Sequence, residues 1–207
     1  MTDRRPMSAI EEHLTFLGRF LRHPRQVGAL APSSRTLARA MLQDIPLTPG
    51  RRIVELGPGS GAFTREVIRQ LPAGATFLAV DIDPQFCREL KARWPSLDCE
   101  CGSAADLSAM IAARGWAGAD HIISGLPFAS LPAALSRSIL AAVQSVLLPR
   151  GTFTTFQYIH AYPTPPASAF RREMDGRFGP MAARRAVFRN LPPAFVLSWR
   201  QRDSAAR

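Results

Sequence analysis

Glu55, Gly57, Gly59 and Gly61 stand at alternate positions in Val54-Glu55-Leu56-Gly57-Pro58-Gly59-Ser60-Gly61. Residues of these types at this spacing suit a loop that wraps a nucleotide-like cofactor. Glycines let the backbone approach a ligand, and the start of a following helix presents N–H groups to a carboxylate or phosphate. Asp81 ends the apolar run Ala75-Thr76-Phe77-Leu78-Ala79-Val80 and lies 24 residues beyond Gly57. That is close to the spacing of about 20 at which an acid reaches ribose hydroxyls. A plain strand-to-helix turn, with Asp81 capping a helix that starts near Pro84, would explain the glycines alone. Loop, acid and order of elements together favour the cofactor. Two further stretches carry chemistry-bearing residues, Ser124-Gly125-Leu126-Pro127-Phe128 and Gln157-Tyr158-Ile159-His160-Ala161-Tyr162. His160 can take up a proton near neutral pH, and Tyr158 can offer a hydroxyl or a ring face to a cation.

The elements that must position these residues alternate along the chain. The patterning predicts strands near 52–56, 75–81, 97–101, 119–124 and 150–157, with helices near 34–44, 61–70, 84–93, 104–114 and 132–146. Such alternation implies parallel strands joined by right-handed crossovers. A Pro-rich stretch at 162–166 precedes a short helix near 167–176. The end reads as a hairpin, 184–189 and 192–200, turning at Asn190-Leu191-Pro192-Pro193. Residues 8–23 read as an amphipathic helix, with Ile10, Leu14, Leu17 and Leu21 at helical spacing and Phe16 and Phe20 widening the stripe. The expected division is a helical appendage over 1–25 and one domain over 26–207.

The formal charge of +10 on 207 residues implies attraction to a polyanion, either nucleic acid or an anionic membrane. Cys87, Cys99 and Cys101 form neither a metal-ligand spacing nor a disulfide framework, and no metal is expected. Buried cysteines suit a reducing compartment. No apolar run reaches the roughly 18 residues of a membrane span. A chain that is cytoplasmic, or peripherally bound at the inner face of the cell membrane, is therefore expected.

The glycine loop does not match the dinucleotide fingerprint G-x-G-x-x-G, because its third glycine comes one place early. As E-x-G-x-G-x-G it resembles motif I of the class I S-adenosylmethionine (SAM) methyltransferases. The resemblance implies a Rossmann-like α/β fold with a seven-stranded sheet, mostly parallel, whose last strand is antiparallel. It implies SAM as cofactor and S-adenosylhomocysteine as product, with Glu55 near the methionine ammonium and Asp81 on the ribose diol. Ser33, Ser34, Gly57, Gly59, Gly61, Ile82, Ala104 and Ser124 complete the expected cofactor shell. Ser103 stands where related enzymes often carry Asp, and its hydroxyl would meet the adenine amino group.

Ser124-Gly125-Leu126-Pro127-Phe128 resembles the N-[L/I]-P-[Y/F] motif of rRNA adenine dimethylases, but Gly125 stands at the Asn position. An adenine amine loses one acceptor there. The sequence also ends a few residues after the last strand, so the helical C-terminal RNA-binding domain of those dimethylases is not expected. Gly28–Arg35, the glycine loop, Ser124–Phe128 and Val187–Ala194 together resemble bacterial phospholipid N-methyltransferases, which convert phosphatidylethanolamine to phosphatidylcholine.

That resemblance implies an aminophospholipid substrate and an N-terminal helix that binds the anionic membrane through Phe16, Leu17, Phe20 and Leu21. It makes His160 and Tyr158 the catalytic candidates acting on the amine. Gly125, Leu126, Pro127, Phe128, Tyr162, Arg172 and Arg189 are the substrate-side candidates, the arginines for lipid phosphate. Methylation of RNA adenine is the alternative function. It would need base-stacking aromatics and a complete amine clamp; Phe128 can stack, but the clamp is incomplete. A SAM-binding protein without catalysis is the third class, and the intact loop speaks against it.

Overall fold

The computed structural model describes residues 34–203. The expected amphipathic helix with Phe16, Leu17, Phe20 and Leu21, and the cofactor candidate Ser33, lie outside the described residues. So does most of Gly28–Arg35.

The described chain opens with α1 (Arg35–Leu42), capped by the Ser34 hydroxyl, which accepts from the Leu37 N–H. It continues through β1 (Arg52–Leu56), α2 (Ala62–Gln70), β2 (Thr76–Asp81), α3 (Pro84–Arg93) and β3 (Asp98–Cys101). A 3-10 turn (Ala104–Asp106) leads into α4 (Leu107–Ala113), then β4 (Ala119–Ser124). A second 3-10 turn (Phe128–Ser130) precedes α5 (Ala133–Val146), β5 (Leu147–Tyr158), α6 (Pro165–Phe178), β6 (Ala183–Val187) and β7 (Ala194–Arg200).

The seven strands form one sheet in the order β3-β2-β1-β4-β5-β7-β6. The first five are parallel, and β7 runs antiparallel to both β5 and β6. This is the seven-stranded, mostly parallel sheet with an antiparallel last strand that the resemblance implied. Strand interiors are buried on both faces, Ile53 to Leu56 in β1 and all of β4, as a parallel sheet covered by helices requires. Apolar side chains sort into two clusters. One joins α1, α2 and α3 to one face through residues such as Leu37, Val67, Leu90 and Ile53. The other joins α4, α5 and α6 to the opposite face through Met110, Leu140, Phe170 and Val54.

Element boundaries depart from expectation in three places. β5 starts at Leu147, directly from α5, because Leu147 pairs with Ala119 across a bulge in the β4 ladder. The helix expected over 104–114 divides into a 3-10 turn and α4. The Pro-rich stretch becomes the first turn of α6, where a missing proline N–H costs nothing because first-turn N–H groups have no intrahelical partner.

The strand order turns back on itself at β1, which pairs with β2 on one side and β4 on the other. Ligands of open α/β sheets bind outside the carboxyl ends of the strands at such a point. Residues 57–61 follow β1 and residues 125–128 follow β4, so the fold places both candidate motifs there.

Candidate functional site

The loop after β1 is shaped by positive backbone dihedrals. Gly57, Gly59 and Gly61 have φ of 69°, 52° and 81°, a region that only glycine enters freely. Each glycine has its own surroundings. A Cβ on Gly61 would stand 2.8 Å from Leu90 and Trp94 of the α3 region, and one on Gly57 would stand 2.6 Å from Leu126. A Cβ on Gly59 would meet nothing within 4 Å. Gly61 and Gly57 therefore let the loop pack on protein, while Gly59 borders open space of the kind a cofactor fills. Gly61 caps α2 with no side-chain hydrogen bond.

Two buried carboxylates flank the loop. Asp81, at the end of β2, accepts from the Gly59 N–H and the Asp83 N–H, both at 2.9 Å. Burial raises its pKa, opposed by those N–H bonds. Each oxygen keeps further acceptor capacity. Glu55 is fully buried. Its Oε2 accepts from the Thr64 hydroxyl of α2 at 2.7 Å, and its Oε1 has no hydrogen-bond partner. Desolvation pushes its carboxyl up to about 8, with the Thr64 bond opposing and Asp81 adding to the rise. An orphaned carboxyl oxygen beside a glycine loop fits a cationic ligand group.

That shift makes folding stability depend on pH. The folded chain holds the Glu55 proton up to about pH 8, whereas the ordinary carboxyl releases it near 4.5. Between those values the folded state binds more protons than the unfolded one, so stability falls as pH rises. Glu55→Gln removes the dependence. The variant is expected to match wild type near pH 4.5 and to exceed it at pH 7 by on the order of 3 kcal/mol. Urea unfolding across pH 4.5–8.5 checks this, and equal pH dependence of the two proteins would refute it.

The remaining cofactor candidates lie on the rim. The Ser103 hydroxyl caps the 3-10 turn by accepting from Ala105, and keeps its own proton to donate. Ala104 is buried and Ile82 half-buried against the α4–α6 cluster. Ser124 is fully buried; its hydroxyl accepts from Leu126 and its carbonyl from Thr155, so it serves the strand end. Ser34 is committed to structure, since its N–H donates to Asn190, its hydroxyl to the Arg189 carbonyl, and its oxygen caps α1.

At the end of β4, a Cβ on Gly125 would lie 2.7 Å from the Gly57 carbonyl oxygen. An asparagine at this position would meet the Gly57 carbonyl of the glycine loop. The Pro127 carbonyl, the other half of that clamp, accepts from Ser130 and Leu131 at 2.8 and 3.2 Å. Leu126 is buried under the loop. Phe128 is also buried, stacked on Phe170 at 4.8 Å and edge-on to Phe153. Its ring faces are spent inside the α6 layer rather than offered to a base.

After β5, Tyr158 and His160 come together, their rings stacked 5.7 Å apart and 9° from parallel. His160 is exposed, and burial raises the Tyr158 hydroxyl pKa. Tyr162 packs on the opposite face of the sheet. Its ring carries the Arg171 guanidinium at 3.7 Å, and its hydroxyl accepts from Arg184 at 3.1 Å. Arg172 bonds back to Ser168 one turn earlier on α6, and Arg189 is exposed in the β6–β7 turn. Sequence reasoning missed Thr64, Arg171 and Arg184. Thr64 sits in the first turn after the glycine loop, which was a usable signal. The two arginines carried none, since only folding brings α6 and β6 to Tyr162.

No protein-family model matches the chain. The 1,6-didemethyltoxoflavin N1-methyltransferase of Burkholderia thailandensis, solved with S-adenosylhomocysteine, superposes with a TM-score of 0.69 at 17% identity, covering 97% of this chain and 94% of that one. The chain is 35% identical over 147 residues to an ornithine lipid N-methyltransferase of Singulisphaera acidiphila, spanning 70% of this chain and 77% of the relative. The chain belongs to the class I SAM-dependent methyltransferases. A ribosomal RNA small subunit methyltransferase A of Chlamydia muridarum is 31% identical over 93 residues, 44% of this chain and 32% of that one. An unpartnered buried Glu55 oxygen, open space at Gly59 and spare acceptor capacity on Asp81 are compatible with SAM. Among the described residues no helix is long and apolar enough to cross a membrane, and no cluster of ligating side chains would hold a metal.

Proposed function

We propose that this methyltransferase N-methylates an aminophospholipid, taking phosphatidylethanolamine and its monomethyl and dimethyl forms toward phosphatidylcholine. It works peripherally at the anionic inner face of the cell membrane. The observation that carries the lipid reading is the 147-residue likeness to an ornithine lipid N-methyltransferase. The surroundings of Gly125 support it. The loop carbonyl fills the place of the asparagine that would grip adenine, and the Pro127 carbonyl is already engaged. A flexible aliphatic amine needs no planar clamp.

SAM supplies an electrophilic methyl group when bound. In this assignment Glu55 faces its ammonium through Oε1, Asp81 takes the ribose hydroxyls, and Ser103 meets the adenine amine. Gly59 leaves room for the nucleoside, beside Ile82 and Ala104. A cation beside Oε1 draws the Glu55 pKa down, so binding releases a proton at neutral pH. On the substrate side, the protein's main contribution is to position the amine. The ethanolamine nitrogen is mostly protonated at neutral pH and must lose that proton first. His160 accepts it at the rim, and Tyr158, stacked against it, presents its ring or hydroxyl to the nitrogen.

Asp81→Ala is expected to lower SAM affinity at least tenfold, about 1.4 kcal/mol, because the ribose acceptor and the anchor of Gly59 go together. Gly59→Val should fail to bind, because its branches occupy the open space and a β-branched residue strains the loop at φ 52°. Calorimetric titration checks both, and near-native affinity in the two variants would remove the cofactor assignment. Radiolabelled SAM offered with phosphatidylethanolamine vesicles and with RNA, side by side, tests the substrate. Label in lipid is expected; label in RNA alone would overturn the lipid reading in favour of adenine methylation.

A further inference from the structure

Phe188 and Leu191 are the large apolar side chains left exposed among the described residues, at 75% and 66%. They share the β6–β7 turn. That turn lies on the same rim as the cofactor loop, because Ala194 of β7 pairs with Tyr158 at the carboxyl end of β5 and the Ile159 N–H donates to Pro193. The turn's own cation is Arg189, which is exposed, whereas Arg185 is paired with Asp44 at 3.2 Å and Arg184 is held on Tyr162. Arg35 stands beside it, since the Ser34 N–H donates to the Asn190 side chain at 2.9 Å.

We infer that this turn is a membrane contact of its own, with Phe188 and Leu191 entering an anionic bilayer while Arg189 and Arg35 meet its head groups. The inference rests on the lipid-substrate reading and adds the surface that brings the rim to the substrate. Two apolar side chains at a tip, flanked by Arg189 and Arg35, match the amphipathic pattern of interfacial binding, in which apolar burial and attraction to acidic lipid act together. Asn190 fixes the turn rather than leaving it loose, donating to the Pro192 carbonyl at 2.7 Å while accepting from Ser34. The 33 residues before Ser34 join the body at this corner. They include the stripe of Phe16, Leu17, Phe20 and Leu21, with Arg19, Arg22 and Arg25 close by. A basic segment is a poor cover for a basic turn, whereas one acidic surface suits both. Tyr158 and His160 would then lie beside the contact.

The test uses the full chain. Phe188→Glu with Leu191→Glu is expected to reduce sedimentation with phosphatidylglycerol-containing vesicles by about tenfold or more, since both apolar burial and charge attraction are lost. SAM binding should be unchanged, and so should methyl transfer to a short-chain, monomeric phosphatidylethanolamine, while transfer to vesicles falls. Phe188→Trp should gain a blue-shifted emission on adding the same vesicles, judged against the wild-type spectrum. Phe16→Glu with Phe20→Glu gives the N-terminal share for comparison. Undiminished vesicle binding by the turn variant would overturn the inference. So would an added emission in Phe188→Trp that is already blue without vesicles and unmoved by them, which would mean that residues before Ser34 cover the turn. Vesicle binding that depends on Phe188 and Leu191, with no transfer to any aminolipid, upholds the surface and removes only the substrate reading.

Discussion

Gly125→Ala is expected to lower SAM affinity by about tenfold, the equivalent of about 1.4 kcal/mol, while most of the fold survives. The added Cβ would stand 2.7 Å from the Gly57 carbonyl oxygen. Real Cβ atoms do not come that close to a backbone oxygen, so one of the two loops must move. The Gly57 side is held by its N–H bond to Val80 and by Leu126 packed beneath it; Gly125 is held by its N–H bond to Leu56. Neither loop can shift without disturbing a strand end, and overpacking of this kind costs about 1–3 kcal/mol. Part of that cost appears as stability and part as a cofactor loop in the wrong place. Calorimetric titration gives the affinity, and thermal unfolding reports the stability share. Gly125→Asn, which restores the adenine-amine motif on paper, should do worse and gain no activity on RNA. Native affinity in both variants would mean that the two loops yield freely, and the steric account of the missing asparagine would fall with it.

His160→Ala is expected to cut turnover on phosphatidylethanolamine about a hundredfold or more at neutral pH, the usual scale for a lost acid–base group, with SAM binding intact. Raising the pH should recover part of the rate, because more of the amine is then neutral without assistance. His160 is well placed for proton transfer: it is exposed at the rim and its ring is oriented by stacking on Tyr158. Tyr158→Phe keeps the stack and removes only the hydroxyl. A retained rate there assigns Tyr158 to holding the amine or its growing charge by the ring, and a lost rate assigns the hydroxyl. A structural role for His160 would lower the rate equally at every pH. An unchanged rate in His160→Ala would remove the base assignment and leave the lipid reading standing.

The sequence by itself determined the sheet, its cofactor loop and the order of its elements. Apolar runs of strand length, alternating with helical patterns and punctuated by Gly57, Gly59 and Gly61, are local signals. β1, β4 and α3 accordingly fall where the pattern put them. Asp81 was legible in its spacing from Gly57, and Glu55 through the resemblance of the glycine loop to motif I. Tertiary structure alone decided what those residues meet. The unpartnered Glu55 oxygen exists because α2 brings Thr64 to the other oxygen and the β1 interior excludes water. Phe128 reads as a free aromatic in the sequence, yet its faces are taken by Phe170 and Phe153 from α6 and β5. Gly125 reads as a missing asparagine, and only the approach of the Gly57 carbonyl shows why a side chain is excluded there. Phe188 and Leu191 could as well have been core residues of a hairpin; their exposure was decided by the fold, with β6 at the sheet edge. Local pattern is set by neighbours along the chain, whereas burial, partnership and exposure are set by segments more than a hundred residues apart, such as Ser34 and Asn190.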